Sequence, residues 1–257
     1  MSDKRDHCII LLIEAPVPEN VTPEFSVAFG AERAARVNLD LLQNAYKLAK
    51  NFTGAFLILS FEKSHRHPDL TWLDNEDPGF LQAKGQTPEN RIIDAFHLAF
   101  NTGAKKVILL NHLSPRVKPE QLSQAFDSVT EKTIALGLNQ DGSVYIAGLT
   151  QNNIKILEGL SFSSPKIADE LSVKAKKNNL SVFSLPEGFA VKNEETLRAW
   201  TSDRDSNPSL FRTSPTGIAG PAAQPAEPRQ EGKKHARRGN KNTFLPPPLP
   251  GAEQKPL

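Results

Sequence analysis

Three carboxylates, Glu14, Glu19 and Glu24, recur along the segment Glu14-Ala15-Pro16-Val17-Pro18-Glu19-Asn20-Val21-Thr22-Pro23-Glu24-Phe25. The segment directly follows the apolar run Cys8-Ile9-Ile10-Leu11-Leu12-Ile13, which reads as a buried first strand. A loop leaving the carboxyl end of such a strand is where open α/β sheets place ligands. A diphosphate bound there needs cationic side chains, glycines that let the backbone approach, or N–H groups at a helix start. Acids could serve it only through a bridging cation such as Mg²⁺, which is commonly held by one or two carboxylates plus substrate oxygens. The loop therefore has the frame of an anion site and the wrong charge for one.

Other residues with chemical potential are scattered. Asp141-Gly142 suits a catalytic or metal-binding turn and equally an ordinary hairpin turn. Arg91 opens a helical pattern and could meet an anion there or stand exposed. His112 lies at the mouth of the inferred cleft, where a general base would sit, but no partner acid is placed by sequence, and a solvated loop histidine is the expectation. His65-Arg66-His67 with Asp69 offers two imidazoles at i and i+2, short of a metal set without a further ligand, so an exposed polar loop is expected. Cys8, the single cysteine, reads as a small buried hydrophobe.

The elements that must position these residues alternate. Ala34, Val37, Leu41, Ala45 and Leu48 make one stripe of a helix over 31–51. Gly54–Phe61 reads as a second strand, Pro88–Asn101 as a helix, and Lys105–Leu110 as a third strand. A helix over 119–130, a strand over 132–137, a strand over 143–149 after the Asp141-Gly142 turn, a helix over 165–177 and a strand over 181–185 complete the series. Strand, helix, strand in succession predicts an α/β fold: a three-layer α/β/α sandwich around a mostly parallel, twisted sheet.

From about Ser202 the pattern stops, and ten of the 20 prolines fall between residues 208 and 256. Such a stretch cannot bury enough surface to offset its ordering entropy, so the expected organisation is a folded domain over 1–200 and a disordered tail over 201–257. The tail carries nine Lys/Arg against five Asp/Glu, while the first 200 residues carry 22 against 24, so the formal net charge of +2 conceals a basic concentration. Lys233, Lys234, Arg237, Arg238 and Lys241 could dock on nucleic acid or another acidic surface through counterion release. Phe244-Leu245-Pro246-Pro247-Pro248-Leu249-Pro250 favours polyproline II and could meet a protein partner. The first apolar run is too short for a signal-peptide core or a membrane span, and the lone cysteine suits a reducing compartment. A soluble, cytoplasmic protein without a membrane partner is expected.

Five segments carry a family resemblance: Ala15-Pro16-Val17-Pro18 with Val21 and the later Phe29-Gly30, Arg91 within Pro88–Ile92, Asn111–Pro119, Ala135–Leu149, and Ala190–Leu197. In this order, residues 8 to about 200 resemble a poorly characterised bacterial family of small GT-A-like glycosyltransferases, related in fold to nucleotide-sugar-binding transferases and guanylyltransferases. The resemblance implies a nucleotide site whose family pattern is basic where this chain has Glu14, Thr22 and Glu24, and glycine where it has Glu19. The family's aspartate after the third strand, which would serve metal and nucleotide, falls on Leu113, and the leading acids of a later motif fall on Ala190 and Lys192. Asp141, Gly142 and Tyr145 are retained, and the second glycine of that turn has become Ser143.

The resemblance thus names Asp141 as the candidate catalytic residue and Pro16, Pro18, Arg91 and Gly142 as candidate cofactor-binding residues, with no metal ligands. A charge-assisted hydrogen bond to a diphosphate contributes roughly 1.5–3 kcal/mol, and a carboxylate at about 4 Å repels it by roughly 1–4 kcal/mol. These substitutions predict a catalytically degenerate, glycosyltransferase-like domain, a pseudoenzyme with a binding, regulatory or scaffold role and no cofactor. The alternatives are an active glycosyl- or nucleotidyltransferase with an altered donor site, which would call for Mg²⁺ or Mn²⁺, and a protein acting on nucleic acid through its basic tail.

Overall fold

Successive residues of the first strand, β1 (His7–Ile13), belong to opposite cores: Cys8 and Ile10 pack on one face of the sheet, Ile9 and Leu11 on the other. All four are fully buried, which is what a central strand covered on both faces requires. The computed structural model describes residues 4–14, 17–21, 23–61, 73, 87–162, 164 and 166–206. These lie within one unit, Met1–Arg212.

β1 lies between β2 (Phe56–Phe61) and β3 (Lys106–Leu110), parallel to both. β5 (Val144–Leu149) runs antiparallel between β3 and β4 (Thr133–Leu138), and β6 (Ser181–Ser184) adds to β4 in parallel. The six-stranded order is β2-β1-β3-β5-β4-β6, with β5 alone reversed. Two parallel neighbours demand crossovers, and the helices supply them. α2 (Ala31–Asn51) and α4 (Pro119–Ser128) cover one face, while α3 (Pro88–Asn101) and α5 (Ile167–Lys177) cover the other. The expected three-layer α/β/α sandwich is present.

The helix starts follow from local chemistry. Pro88 and Pro119 stand at first helical positions, where a missing N–H costs nothing. The Thr87 hydroxyl accepts from Asn90 N at 3.2 Å, and Gln121 Oε1 accepts from Lys118 N at 2.9 Å. The β4–β5 hairpin closes with Gly142 at φ 80°, a conformation that glycine adopts without strain. Tyr145 crosses above β4 so closely that a Cβ on Gly137 would stand 2.5 Å from its ring.

Two helices have no counterpart in the sequence reading. α1 (Pro23–Phe29) rises from the acidic loop, and α6 (Glu194–Ser206) crosses the boundary expected at residue 200. α1 is too short to display a period, and α6 has only Leu197 and Trp200 as buried apolar anchors among its polar residues. Both take their stability from tertiary contact rather than pattern. Among the described residues no helix is long and apolar enough to cross a membrane.

Candidate functional site

The loops after β1, β3, β4 and β6 converge at the carboxyl edge of the parallel strands, the edge at which such sheets hold ligands. Two ion pairs occupy this edge. Arg91, in the first turn of α3, is 8% exposed and donates from Nη2 to Glu14 Oε1 at 3.1 Å. Lys192, on the loop after β6, places Nζ 2.6 Å from Asp141 Oδ2. Asp141 Oδ1 also accepts from Ser143 N at 2.9 Å and from Ser143 Oγ at 2.6 Å. Partial burial alone would push the Asp141 carboxyl up, but the Lys192 ammonium and the two Ser143 donors outweigh it and hold it below the ordinary aspartate value.

Glu14 thus neutralises Arg91, and Lys192 neutralises Asp141.

Hydrophobic side chains fill the space between these loops. Phe25 and Phe29 of α1 pack in one cluster with Val37 and Leu41 of α2, Val191, and Leu197 and Trp200 of α6. Leu113, at the position of the family's aspartate, packs against that cluster, and its carbonyl accepts from Val191 N at 2.9 Å. A carboxylate at that position would lose the solvation it needs without gaining a partner from apolar neighbours. The segment Pro23–Phe29 is a short helix whose aromatic residues face the core. Phe25 and Phe29 meet edge to face with centroids 4.7 Å apart.

What remains open is a cavity of about 190 Å³. Its wall is largely apolar, with Leu12, Val21, Phe25, Leu42, Leu113 and Phe162 among its residues. Its polar members include Glu14, Asn38, Asn111 and His112. Asn111 is engaged on both sides, donating from Nδ2 to Val144 O at 3.1 Å and accepting from Leu113 N at 3.0 Å. His112 Nε2 lies 2.8 Å from Asn38 Oδ1. Burial lowers the His112 pKa to about 4, so the ring is neutral at pH 7 and Nε2–H donates to the amide oxygen. His112, expected as a solvated loop histidine, is half-buried on the cavity wall and bonded to Asn38 of α2.

Of the sequence-derived candidates, Asp141 and Gly142 form the hairpin turn, and Gly142 N donates to Asn139 O at 2.8 Å. Pro18 opens an exposed 3-10 turn, Pro18–Asn20, that carries Glu19, and Arg91 is buried against Glu14. Pro16, Thr22 and the His65-Arg66-His67 segment lie outside the described residues. Neither Asp141, Gly142, Pro18 nor Arg91 lines the cavity. Asn38, which does, was missed, although it is a polar residue set between Ala34 and Leu42 at helical spacing on the buried face of α2. Phe25 and Phe162 carry no comparable signal.

Among the described residues of this edge, Leu113 after β3 is aliphatic and Lys192 after β6 is a cation bonded to Asp141, so neither supplies the oxygen ligand a hard metal needs. Among the described residues no three His, Cys, Asp or Glu side chains gather as a metal-holding group.

This frame, a six-stranded sheet with one reversed strand, is a GT-A-like α/β fold. Residues 46–164 match the family described as "Uncharacterized protein conserved in bacteria (DUF2064)", in agreement with the resemblance seen in the sequence. A solved structure from Desulfovibrio desulfuricans G20, described as a nucleotide-diphospho-sugar transferase, superposes with a TM-score of 0.69 at 20% identity, covering 81% of this chain and 91% of the other. A nucleotidyl transferase from Methanothermobacter superposes at 0.56 with 12% identity over 79% of this chain and 98% of the other. A cytidylyltransferase from Leptospira borgpetersenii reaches 0.50 with 11% identity over 81% and 97%. At these identities the likeness establishes the fold alone. No curated protein matches the chain.

Proposed function

We propose that this chain is a catalytically degenerate glycosyltransferase-like domain, a pseudoenzyme whose fold serves binding, regulation or scaffolding. One observation carries the reading: the two charged residues retained from the family pattern, Arg91 and Asp141, are each bound by a residue of reversed charge, Glu14 and Lys192. An arginine satisfied by a carboxylate offers a diphosphate no net attraction, and an aspartate held by an ammonium offers a metal no free charge. With each lost charge-assisted hydrogen bond representing about 1.5–3 kcal/mol, three absent cations remove the affinity a nucleotide sugar would need.

Calorimetric and thermal-shift titrations with uridine, guanosine, adenosine and thymidine diphosphates, each with Mg²⁺ or Mn²⁺, test the reading. All are expected to stay flat. A dissociation constant below about 100 μM, equivalent to roughly 5.5 kcal/mol, overturns it in favour of an active transferase with an altered donor site.

A further inference from the structure

We propose that the free edge of β6 pairs antiparallel with the β6 edge of a second copy of this chain, joining two domains into one continuous sheet about a two-fold axis at Phe183. The inference stands apart from the degenerate reading above, because it uses none of the residues on which that reading rests.

The backbone supplies the first argument. β6 is the last strand of the sheet and bonds β4 on one side: Ser181 N donates to Lys132 O at 2.8 Å and Leu185 N to Leu136 O at 2.9 Å. Backbone polar groups alternate sides along a strand, so the N–H and C=O of Val182 and Ser184 point the other way. Among the described residues nothing meets them there. Folded proteins commonly protect such an edge with charge or proline. From Asn178 to Leu185 this chain has neither.

The side chains point to a second copy as the occupant. Val182 packs on the core beneath α3 and α5, so Phe183 stands on the opposite face of the sheet, where it is 42% exposed. In an antiparallel pair, Val182 exchanges both hydrogen bonds with the partner's Ser184, and Ser184 does so with the partner's Val182. Phe183 then faces the partner's Phe183 in a non-hydrogen-bonded position, with Cα atoms about 4.5 Å apart. Each exposed ring covers the other, forming an aromatic cross-strand pair.

Charge fixes the direction. Lys132, Lys176 and Lys177 lie at the amino end of β6, and Glu187 follows its carboxyl end. Antiparallel pairing sets these unlike ends together, whereas parallel pairing would set like against like. α5 adds a self-complementary pair. Lys174 Nζ donates to Glu158 O on the segment after β5, toward the middle of the sheet; at about 100° per residue, Asp169, Ser172 and Lys176 turn toward the opposite flank. Asp169 and Lys176 are exposed, and neither has a partner among the described residues. Their midpoint lies about 7 Å before the last residue of α5, and Phe183 lies about 7 Å after the first residue of β6. A two-fold axis at Phe183 therefore brings Asp169 of each copy toward the partner's Lys176, and a contact made once is made twice.

Sedimentation velocity on the full chain over a concentration series tests the pairing. The mass is expected to rise from that of one chain toward twice that value, with a dissociation constant of about 100 μM or tighter, in keeping with a small interface. Ser184→Pro removes an outward N–H without removing a bond to β4, and should weaken dimerisation at least about tenfold. Phe183→Lys should do the same, by placing two cations at the axis. Asp169→Lys and Lys176→Asp each set like charges together twice and should each weaken it about fivefold, while the double reversal should return to within about twofold of the unaltered chain. The melting temperature of each variant establishes that it is folded; should one unfold, the other variants and the concentration series decide. A chain that remains monomeric up to about 500 μM overturns the proposal. So does a dimer indifferent to Ser184→Pro, or a double reversal no better than its single changes. Nucleotide diphosphate binding by the intact chain would remove the degenerate reading and leave this inference untouched.

Discussion

Lys192 Nζ stands 2.6 Å from Asp141 Oδ2, so the ammonium neutralises the carboxylate at the tip of the β4–β5 hairpin. The pair bridges the β4–β5 hairpin and the loop after β6, which Gly188 N already ties to Leu138 O at 2.8 Å. Its chemical effect is to keep Asp141 ionised and engaged. Lys192→Ala should therefore raise the Asp141 pKa toward the ordinary aspartate value, as read by carbon-detected NMR titration. The folded carboxyl titrates below its unfolded counterpart, so its contribution to stability is present above the unfolded pKa and is lost as pH falls through the folded one. Because the two side chains are 34% and 50% exposed, the loss at pH 7 should not exceed about 1 kcal/mol. An unchanged Asp141 titration in the variant would show that the Ser143 donors alone hold the carboxylate.

Arg91 and Glu14 differ from that pair in burial: the arginine side chain is 10% exposed and the glutamate 41%. A nearly buried guanidinium without a counter-charge is costly, so Glu14→Gln should lower stability by about 1–3 kcal/mol. Glu14→Lys, which returns the charge of the family pattern, should be worse than Glu14→Gln because it sets two cations together. Adding Arg91→Glu to Glu14→Lys should recover part of the loss. Urea unfolding of these proteins and of Arg91→Glu alone measures this, and losses of the two single changes that simply add in the double variant would show that the pair is not coupled.

The sheet was legible because its residues obey a period. Cys8, Ile9, Ile10 and Leu11 alternate between two cores, and the Asp141-Gly142 pair marks the hairpin that follows β4. At the carboxyl edge only the charges themselves, Glu14 and Lys192, were legible in the sequence. That Glu14 would meet Arg91, 77 residues away, is a property of tertiary proximity that no spacing encodes. Likewise the packing of α1 on α2 and α6 and the contact of His112 with Asn38 are tertiary, and a seven-residue helix or one histidine carries no period of its own. Asn38 could have been noticed, since a polar side chain interrupting the buried stripe of α2 calls for a partner.

The basic cluster Lys233, Lys234, Arg237, Arg238 and Lys241 lies outside the described residues, and composition alone motivates its test. Any contact of this chain with RNA or DNA is expected to run through these five cations, without sequence preference and with affinity that falls steeply with salt. Binding measured at two salt concentrations, for the intact chain and for one with all five changed to alanine, tests this. Contact that persists in the variant places the nucleic-acid surface on the folded domain.

His112 makes the fold sensitive to acid in a defined window. Its pKa is lowered by burial to about 4, against about 6.5 for an exposed imidazole in the unfolded chain. Between these values the unfolded chain holds a proton on this ring that the folded chain refuses, so stability rises with pH through the window and is lost as pH falls through it. Protonation would also place a cation in a cavity wall whose other charge among the described residues, Glu14, is already paired, and Nδ1 would cease to accept. The full chain should lose stability between pH 7 and pH 4.5, and His112→Gln, which has no titrating ring, should lose measurably less over the same interval. Equal losses in the two proteins, measured by urea unfolding at each pH, would assign the acid sensitivity to the carboxylates and leave His112 out of it.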